Sequence, residues 1–228
     1  DRPAAVQKGL FNIIGPEVDE VYLRKVKELA IRDKDRVEID KNIKIVYTPL
    51  HGAGNIPIRK ILKERGFTNV FVVEEQVQPD PDFSTVESPN PEYPAAFELA
   101  IKLGLKVNAE ILIATDPDSD RIGLAVRNPI CNCEDYNFFC HCEERSDEAI
   151  PSVIARNDND EAISYTVLNG NQVGILLLHY ILSNKKELNQ LPPNGFIVKT
   201  VVTSDMSRVI ADSFGVDTYE TLTGFKFI

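Results

Sequence analysis

Residues 110–126 read EILIATDPDSDRIGLAV. Apolar residues fill 111–114 and 122–126, and an acidic turn separates them, so the pattern predicts strand, loop, strand. Asp116, Asp118 and Asp120 alternate through the turn. Three carboxylates so close repel one another unless protons or a cation neutralise them. A turn can aim all three at one hard cation, and Mg²⁺ prefers oxygen ligands. A calcium helix–loop–helix site would need Gly and Glu at its sixth and twelfth positions, where Arg121 and Arg127 stand. Arg121 either compensates the aspartates or holds a phosphate oxygen bidentately.

Towards the N-terminus the same grammar repeats. IKIVY at 43–47 predicts a strand, TPLHGAGN a loop, and a helix begins near Pro57 and stops before Gly66. VFVVE at 70–74 is the next strand. QVQPDPDFSTVESPNPE at 76–92 holds too many prolines for a regular element. PAAFELAIKLG at 94–104 predicts a helix with Pro at its start and Gly just past its end. Gly52 and Gly54 allow backbone N–H groups to approach an anion closely, although no G-K-[ST] follows as a Walker loop requires. His51 reads either as a hydrogen-bonded structural residue at a strand end or as one that contacts a substrate or supports a residue that does. The first 16 residues read as an entry segment, and 17–32 as a helix with periodicity near 3.6.

Towards the C-terminus, LNGNQVGILLLHYILSNKK predicts a helix capped by Asn169 or Asn171. GFIVKTVVTSD at 195–205 is a strand ending at a cap aspartate, and MSRVIADSFG is a helix. Lys199 lies in an otherwise apolar strand, where its ammonium must reach water or an anion. This second block shows one convincing strand, so it reads as incomplete. The fold expected is α/β: a three-layer α/β/α domain with a mixed sheet, plus an incomplete second α/β domain. Ligands of such sheets sit at the carboxyl ends of strands, where both distinctive loops lie.

Composition narrows the function. Of 228 residues, 43% are hydrophobic and 26% charged, which speaks against disorder. Twenty-five basic against 35 acidic side chains give a formal charge of -10, a poor surface for nucleic acid. No apolar run reaches the ~20 residues a membrane span needs, and no secretory leader opens the chain. The chain starts on Asp1 and not Met, which suggests a piece of a longer polypeptide. Its four cysteines, Cys131, Cys133, Cys140 and Cys142, fall within one short stretch, and a disulfide framework would spread them. The expected location is cytoplasmic. The cysteines belong to a segment, 131–163, whose composition departs from its flanks and which repeats SDEAI as NDEAI. One-residue spacing suits structural zinc poorly. The segment reads as a surface insertion, expected to be partly disordered over 131–162, since loop closure costs little per added residue.

TPLHGAG, PDPDFSTVESPNPE, ATDPDSDRIG, LNGNQVG and TLTGFKFI, in this order, resemble the α-D-phosphohexomutases, within them the phosphoglucomutase and phosphomannomutase branch. The resemblance covers 9–130 and 164–228. It implies a second domain over 1–130 that carries the metal loop, the insert at 131–163, and part of a third domain over 164–228. It also implies that a phosphoserine elsewhere in a longer enzyme exchanges phosphoryl groups with a hexose between positions 1 and 6, through a bisphosphorylated intermediate. Asp116, Asp118 and Asp120 would hold Mg²⁺. Arg121 and Lys199 match catalytic positions, and Thr223 and Gly224 match the loop that helps choose sugar orientation; Lys226 and His51 join them as substrate-binding candidates from the residue reading. A sugar bisphosphate would activate the whole enzyme. The implied partners are a phosphosugar and the remaining domains of the same polypeptide, with neither nucleic acid nor membrane. No phosphoserine loop occurs in this chain, so the chain alone is expected to be inactive. A non-enzymatic acidic interaction domain and a pentose-preferring mutase stay open. A haloacid-dehalogenase phosphatase fits poorly, because IKIVY is followed by TPLHG and not by a nucleophilic D-x-D.

Overall fold

The computed structural model describes residues 1–12, 14–31, 41–128, 152–156 and 162–227. Residues 1–37 form one compact unit and 38–228 another. The first holds two helices, α1 (Arg2–Gln7) and α2 (Pro16–Glu28). Helix α1 falls in the stretch read as an entry segment. Pro16 opens α2, Glu17 and Asp19 face its positive end, and Lys25 and Lys27 its negative end, as the helix dipole favours.

The larger unit is built on a six-stranded mixed sheet. Its strands are β1 (Ile45–Thr48), β2 (Val70–Val72), β3 (Ile111–Thr115), β4 (Ile122–Arg127), β5 (Ser152–Arg156) and β6 (Ala162–Leu168), in the order β2-β1-β3-β4-β6-β5. Strand β1 pairs parallel with β2 and β3, whereas β3–β4, β4–β6 and β6–β5 are antiparallel. The parallel β1 is buried along its whole length, as a strand covered on both faces must be. Helices α3 (Asn55–Glu64) and α4 (Glu98–Val107) make the connections after β1 and before β3. One apolar core joins Val46, Leu50, Phe97, Ile101, Leu112 and Tyr165.

Strands β5 and β6 complete the sheet. AISYTVL alternates as a half-buried strand does, and it pairs with β4 from Leu124↔Leu168 to Arg127↔Tyr165. The expected boundary at 164 therefore falls inside a strand of the first sheet. Strand β5 lies within the stretch read as an insertion and pairs with β6 over five residues. The cysteine pairs lie outside the described residues.

The second block is a two-stranded parallel sheet, β7 (Phe196–Thr200) beside β8 (Asp217–Thr221), with helices α5 (Gly170–Glu187) and α6 (Met206–Ser213). Asn169 caps α5: its side chain accepts from the Gln172 N–H while Gln172 accepts from the Asn169 N–H, a capping box. Strand β8 was not anticipated, because DTYET mixes polar residues at an exposed edge. Asp205 precedes α6 but makes no side-chain cap bond. Among the described residues no helix is long and apolar enough to cross a membrane.

Tyr165 ties the late strand to the early core. Its hydroxyl is fully buried, donates to the Ala109 carbonyl at 2.7 Å, and titrates at about 12 because burial disfavours the phenolate. Tyr165→Phe should leave that carbonyl unpaired and lower unfolding stability by about 1–2 kcal/mol, measured as a fall in the urea midpoint.

Candidate metal centre

The acidic loop leaves the carboxyl end of β3 and returns as β4. One carboxylate oxygen from each of Asp116, Asp118 and Asp120 lies within 4.8 Å of the others. Asp116 is fully buried, while Asp118 and Asp120 are exposed. Arg121 grips the buried member twice: its backbone N–H donates to Asp116 Oδ1 at 3.0 Å and its Nε–H to Oδ2 at 2.7 Å. Its Nε stands 3.7 Å from Asp120. Burial alone would raise the Asp116 pKa, but the bonds from Arg121 and the neighbouring Asp120 outweigh it and hold the group below its ordinary value. Asp120 moves the other way, raised by its hydrogen-bonded contact with Asp116 and by the charge of Asp118. The cluster thus keeps one carboxylate ionised in the interior and leaves an excess of negative charge at the surface. Hard oxygen donors, mutual proximity and outward-facing exposed members fit a Mg²⁺ ion, and each Asp116 oxygen retains a lone pair beside its bond to Arg121.

The TPLHGAG loop is seated directly beneath. Ser119 is left-handed (φ 62°), and its N–H donates to the Asp116 carbonyl at 3.0 Å, closing the acidic turn. The Ala53 N–H donates to the Pro117 carbonyl at 2.8 Å. Gly52 and Gly54 therefore serve a close contact between two loops. Beside them Tyr47, fully buried and pushed up to about 12 chiefly by burial, lies 3.0 Å from the Thr115 hydroxyl.

His51 is mostly buried, and both ring nitrogens are engaged. Its Nδ1 is 2.7 Å from the Gln78 carbonyl, which can only accept, so Nδ1 carries the proton. Its Nε2 is 2.7 Å from the Thr85 hydroxyl, which also accepts from Gln76 Nε2 at 3.1 Å. Gln76 Oε1 accepts from Thr48 at 2.5 Å, and the Thr48 hydroxyl accepts from the Leu50 N–H at 3.2 Å. This chain of donors holds Leu50 (φ 45°) and His51 (φ 64°) in left-handed conformations that cost of order 1–3 kcal/mol each. It also binds the proline-rich 76–92 segment to the TPLHGAG loop. Both ring nitrogens of His51 thus bond the protein's own loops. The Asp80 carboxylate folds back onto the Ser84 hydroxyl (2.6 Å) and backbone (2.8 Å), which lowers its pKa.

Lys199 is 5% exposed on β7. Its ammonium meets Glu220 at 2.7 Å, Asp205 at 3.0 Å and the Thr203 carbonyl at 3.1 Å. Arg208 approaches Glu220 from the other side at 3.3 Å. The sequence singled out the lysine but not its acids, since Glu220 is its register partner only once β8 is paired. Thr223 is exposed in the loop beyond β8, where Gly224 has φ 126°, and Lys226 is exposed in the 3-10 turn Phe225–Phe227 that follows. The Lys226 ammonium sits 5.0 Å from the centre of the Phe227 ring.

The architecture is that of a layered α/β domain with an acidic loop at a strand end, followed by a second α/β block. The family model for phosphoglucomutase/phosphomannomutase alpha/beta/alpha domain II matches residues 20–129, and that for domain III matches 169–228. The chain is 33% identical over 187 residues to a phosphoglucomutase of Staphylococcus aureus (strain MRSA252), covering 82% of this chain and 27% of that one. It is 31% identical over 224 residues to a phosphoglucomutase of Staphylococcus epidermidis, covering 97% and 33%. A crystal structure of a phosphoglucomutase/phosphomannomutase family protein from Burkholderia thailandensis shares the fold, with a TM-score of 0.56 at 16% identity over 91% of this chain and 33% of that one. The chain belongs to the phosphoglucomutase/phosphomannomutase family of α-D-phosphohexomutases. It spans about a quarter to a third of the length of the curated relatives it matches.

The Lys199 cluster makes a pH prediction. Hydrogen bonds from Lys199 hold Glu220 below 4.5 and Asp205 below 3.8, while Glu220 and then Asp205 hold Lys199 above 10.5. Depressed carboxylates contribute stability above their unfolded pKa and lose it as pH falls through the folded one. The urea midpoint of the wild type should therefore fall relative to that of Lys199→Met as pH drops below 4.5. A raised lysine loses its contribution as pH rises through the folded value, so the same relative fall should recur above 10.5.

Proposed function

We propose that this chain is the cation-binding and partial sugar-phosphate-binding portion of a phosphohexomutase. The whole enzyme would move a phosphoryl group between positions 1 and 6 of a hexose through a phosphoserine and a bisphosphate intermediate, with a sugar bisphosphate as activator. The observation that carries this reading is the convergence of three carboxylates within 4.8 Å at the carboxyl end of β3, with Arg121 beside them. Bound Mg²⁺ would supply charge neutralisation for the transferring group.

The chain's own residues divide the remaining work. Asp116, clamped by Arg121, is the fixed ligand, and the exposed Asp118 and Asp120 adjust to the ion. The Arg121 side chain is half exposed, so donors not used on Asp116 can meet a phosphate oxygen from solvent. Thr223, Gly224 and Lys226 offer an exposed hydroxyl, an open backbone and a cation for the sugar phosphate, and Lys199 anchors the strand pair from which that loop departs. Phosphoryl transfer depends on alignment and electrostatic stabilisation from every side of a cleft, and the sequence contains no phosphoserine loop. The chain alone is therefore inactive, and the complete protein works in the cytoplasm.

Calorimetric titration with Mg²⁺ should give a binding isotherm for the chain and none for Asp118→Asn, whose side chain is exposed and can change without loss of folding. Equal heats from both proteins would remove the metal reading. With glucose 1-phosphate, Mg²⁺ and a trace of glucose 1,6-bisphosphate, the chain should give no glucose 6-phosphate while the full-length protein does. Inactivity of a serine-phosphorylated full-length protein on both hexose and pentose phosphates would remove the mutase reading.

A further inference from the structure

We infer that the open edge of β2, walled by the basic face of α3, is a docking groove for an extended acidic segment of a partner protein, added as a strand. Strand β2 ends the six-stranded sheet, with β1 as its one neighbour. The Ile45 N–H donates to the Asn69 carbonyl at 2.9 Å, and the Val73 N–H to the Tyr47 carbonyl at 3.0 Å. Parallel pairing in the register Val46↔Phe71 turns the backbone of 69, 71 and 73 towards β1. The N–H and C=O groups of Val70 and Val72 therefore point outward, as a template for a further strand.

Beside this edge lies a groove of 470 Å³. Val70, Val72 and Phe67 supply its apolar side, and Arg59, Lys60 and Lys63 its basic side. All three cations are exposed, and among the described residues no acidic side chain lines the groove. Arg59 bonds Asn55 Oδ1 at 3.3 Å through one guanidinium nitrogen. Lys60 and Lys63 meet no carboxylate among the described residues. In a chain of net charge -10, this local excess of positive charge runs against the overall balance. Charge selects the occupant. A second copy pairing β2 with β2 about a two-fold axis would bring the three cations against their own counterparts. An acidic strand meets no such repulsion, and its spacing fits. Alternate side chains of a strand stand about 7 Å apart on one face, and cations one helical turn apart stand about 5–6 Å apart at Cβ. Carboxylates on that face meet α3 while the backbone meets β2. No groove residue belongs to the acidic loop or to TPLHGAG, and docking here needs no metal.

The probe is a short capped peptide that alternates Glu and Thr, titrated into the chain by calorimetry and by NMR of the backbone amides. Saturable binding should shift the amides of Val70 and Val72 more than that of Phe71. The double variant Lys60→Gln/Lys63→Gln changes exposed side chains, so it should keep the wild-type urea midpoint. It should bind the peptide about fivefold more weakly, as the loss of two surface ion pairs implies. High salt should weaken the wild type towards the variant. The same peptide N-methylated along its backbone cannot donate to β2 and should not bind, nor should a peptide with Lys in place of Glu. Equal binding of the N-methylated peptide would overturn strand addition, and equal binding of the Lys peptide would overturn selection by charge. Inorganic phosphate that reproduces the Val70 and Val72 shifts would mark a plain anion site and overturn the inference. A Glu–Thr peptide that leaves the amides of 68–73 unmoved would overturn it as well.

Discussion

Three carboxylates gathered at one strand end repel, and one of them is buried, so the acidic loop depends on how Arg121 meets Asp116. A buried carboxylate without partners would cost several kcal/mol. Here two donors from a single residue, one of backbone and one of side chain, satisfy it while leaving the outer pair to solvent. The backbone bond makes the turn itself part of the charge compensation, because Arg121 is the last residue of the turn before β4 begins at Ile122. Sheet, turn and charge are thereby one construction.

The TPLHGAG loop supports it from below through shape and not charge. Its two left-handed residues are held by a run of donors from Leu50 to Gln78 in which every buried polar group found has a partner. Satisfied polar networks of this kind fix a unique backbone course. The prolines of 76–92 limit the alternatives that segment can adopt, and His51 fastens it. The second block follows a different rule. A single buried lysine bridges two parallel strands and draws the turn after β7 towards β8, so the loop carrying Thr223 and Gly224 starts from an electrostatic anchor.

Much was legible in the sequence because the signals are local. Alternation and apolar runs identify β1, β3 and β4, Asn169 with Gln172 announces the start of α5, and the spacing of Asp116, Asp118 and Asp120 announces the cluster. The α/β order follows from these elements, and the motifs carried the family. What local signals lacked was partnership. AISYTVL carries the alternation of a strand but not the identity of its partner β4, and DTYET becomes a strand only through pairing with β7.

The same division runs through the site. Sequence by itself determined which groups could carry charge to the loop, since residue type and close spacing settle chemistry and reach. Only the tertiary structure decided their tasks: that Asp116 is buried and clamped, that Gly52 and Gly54 admit Pro117 and Ser119, that His51 faces Gln78 and Thr85, and that Lys199 meets Asp205 and Glu220. Each of these depends on atoms brought together from segments far apart in the chain or across a turn. Burial and hydrogen-bond direction are properties of such meetings, and no single stretch of sequence contains them.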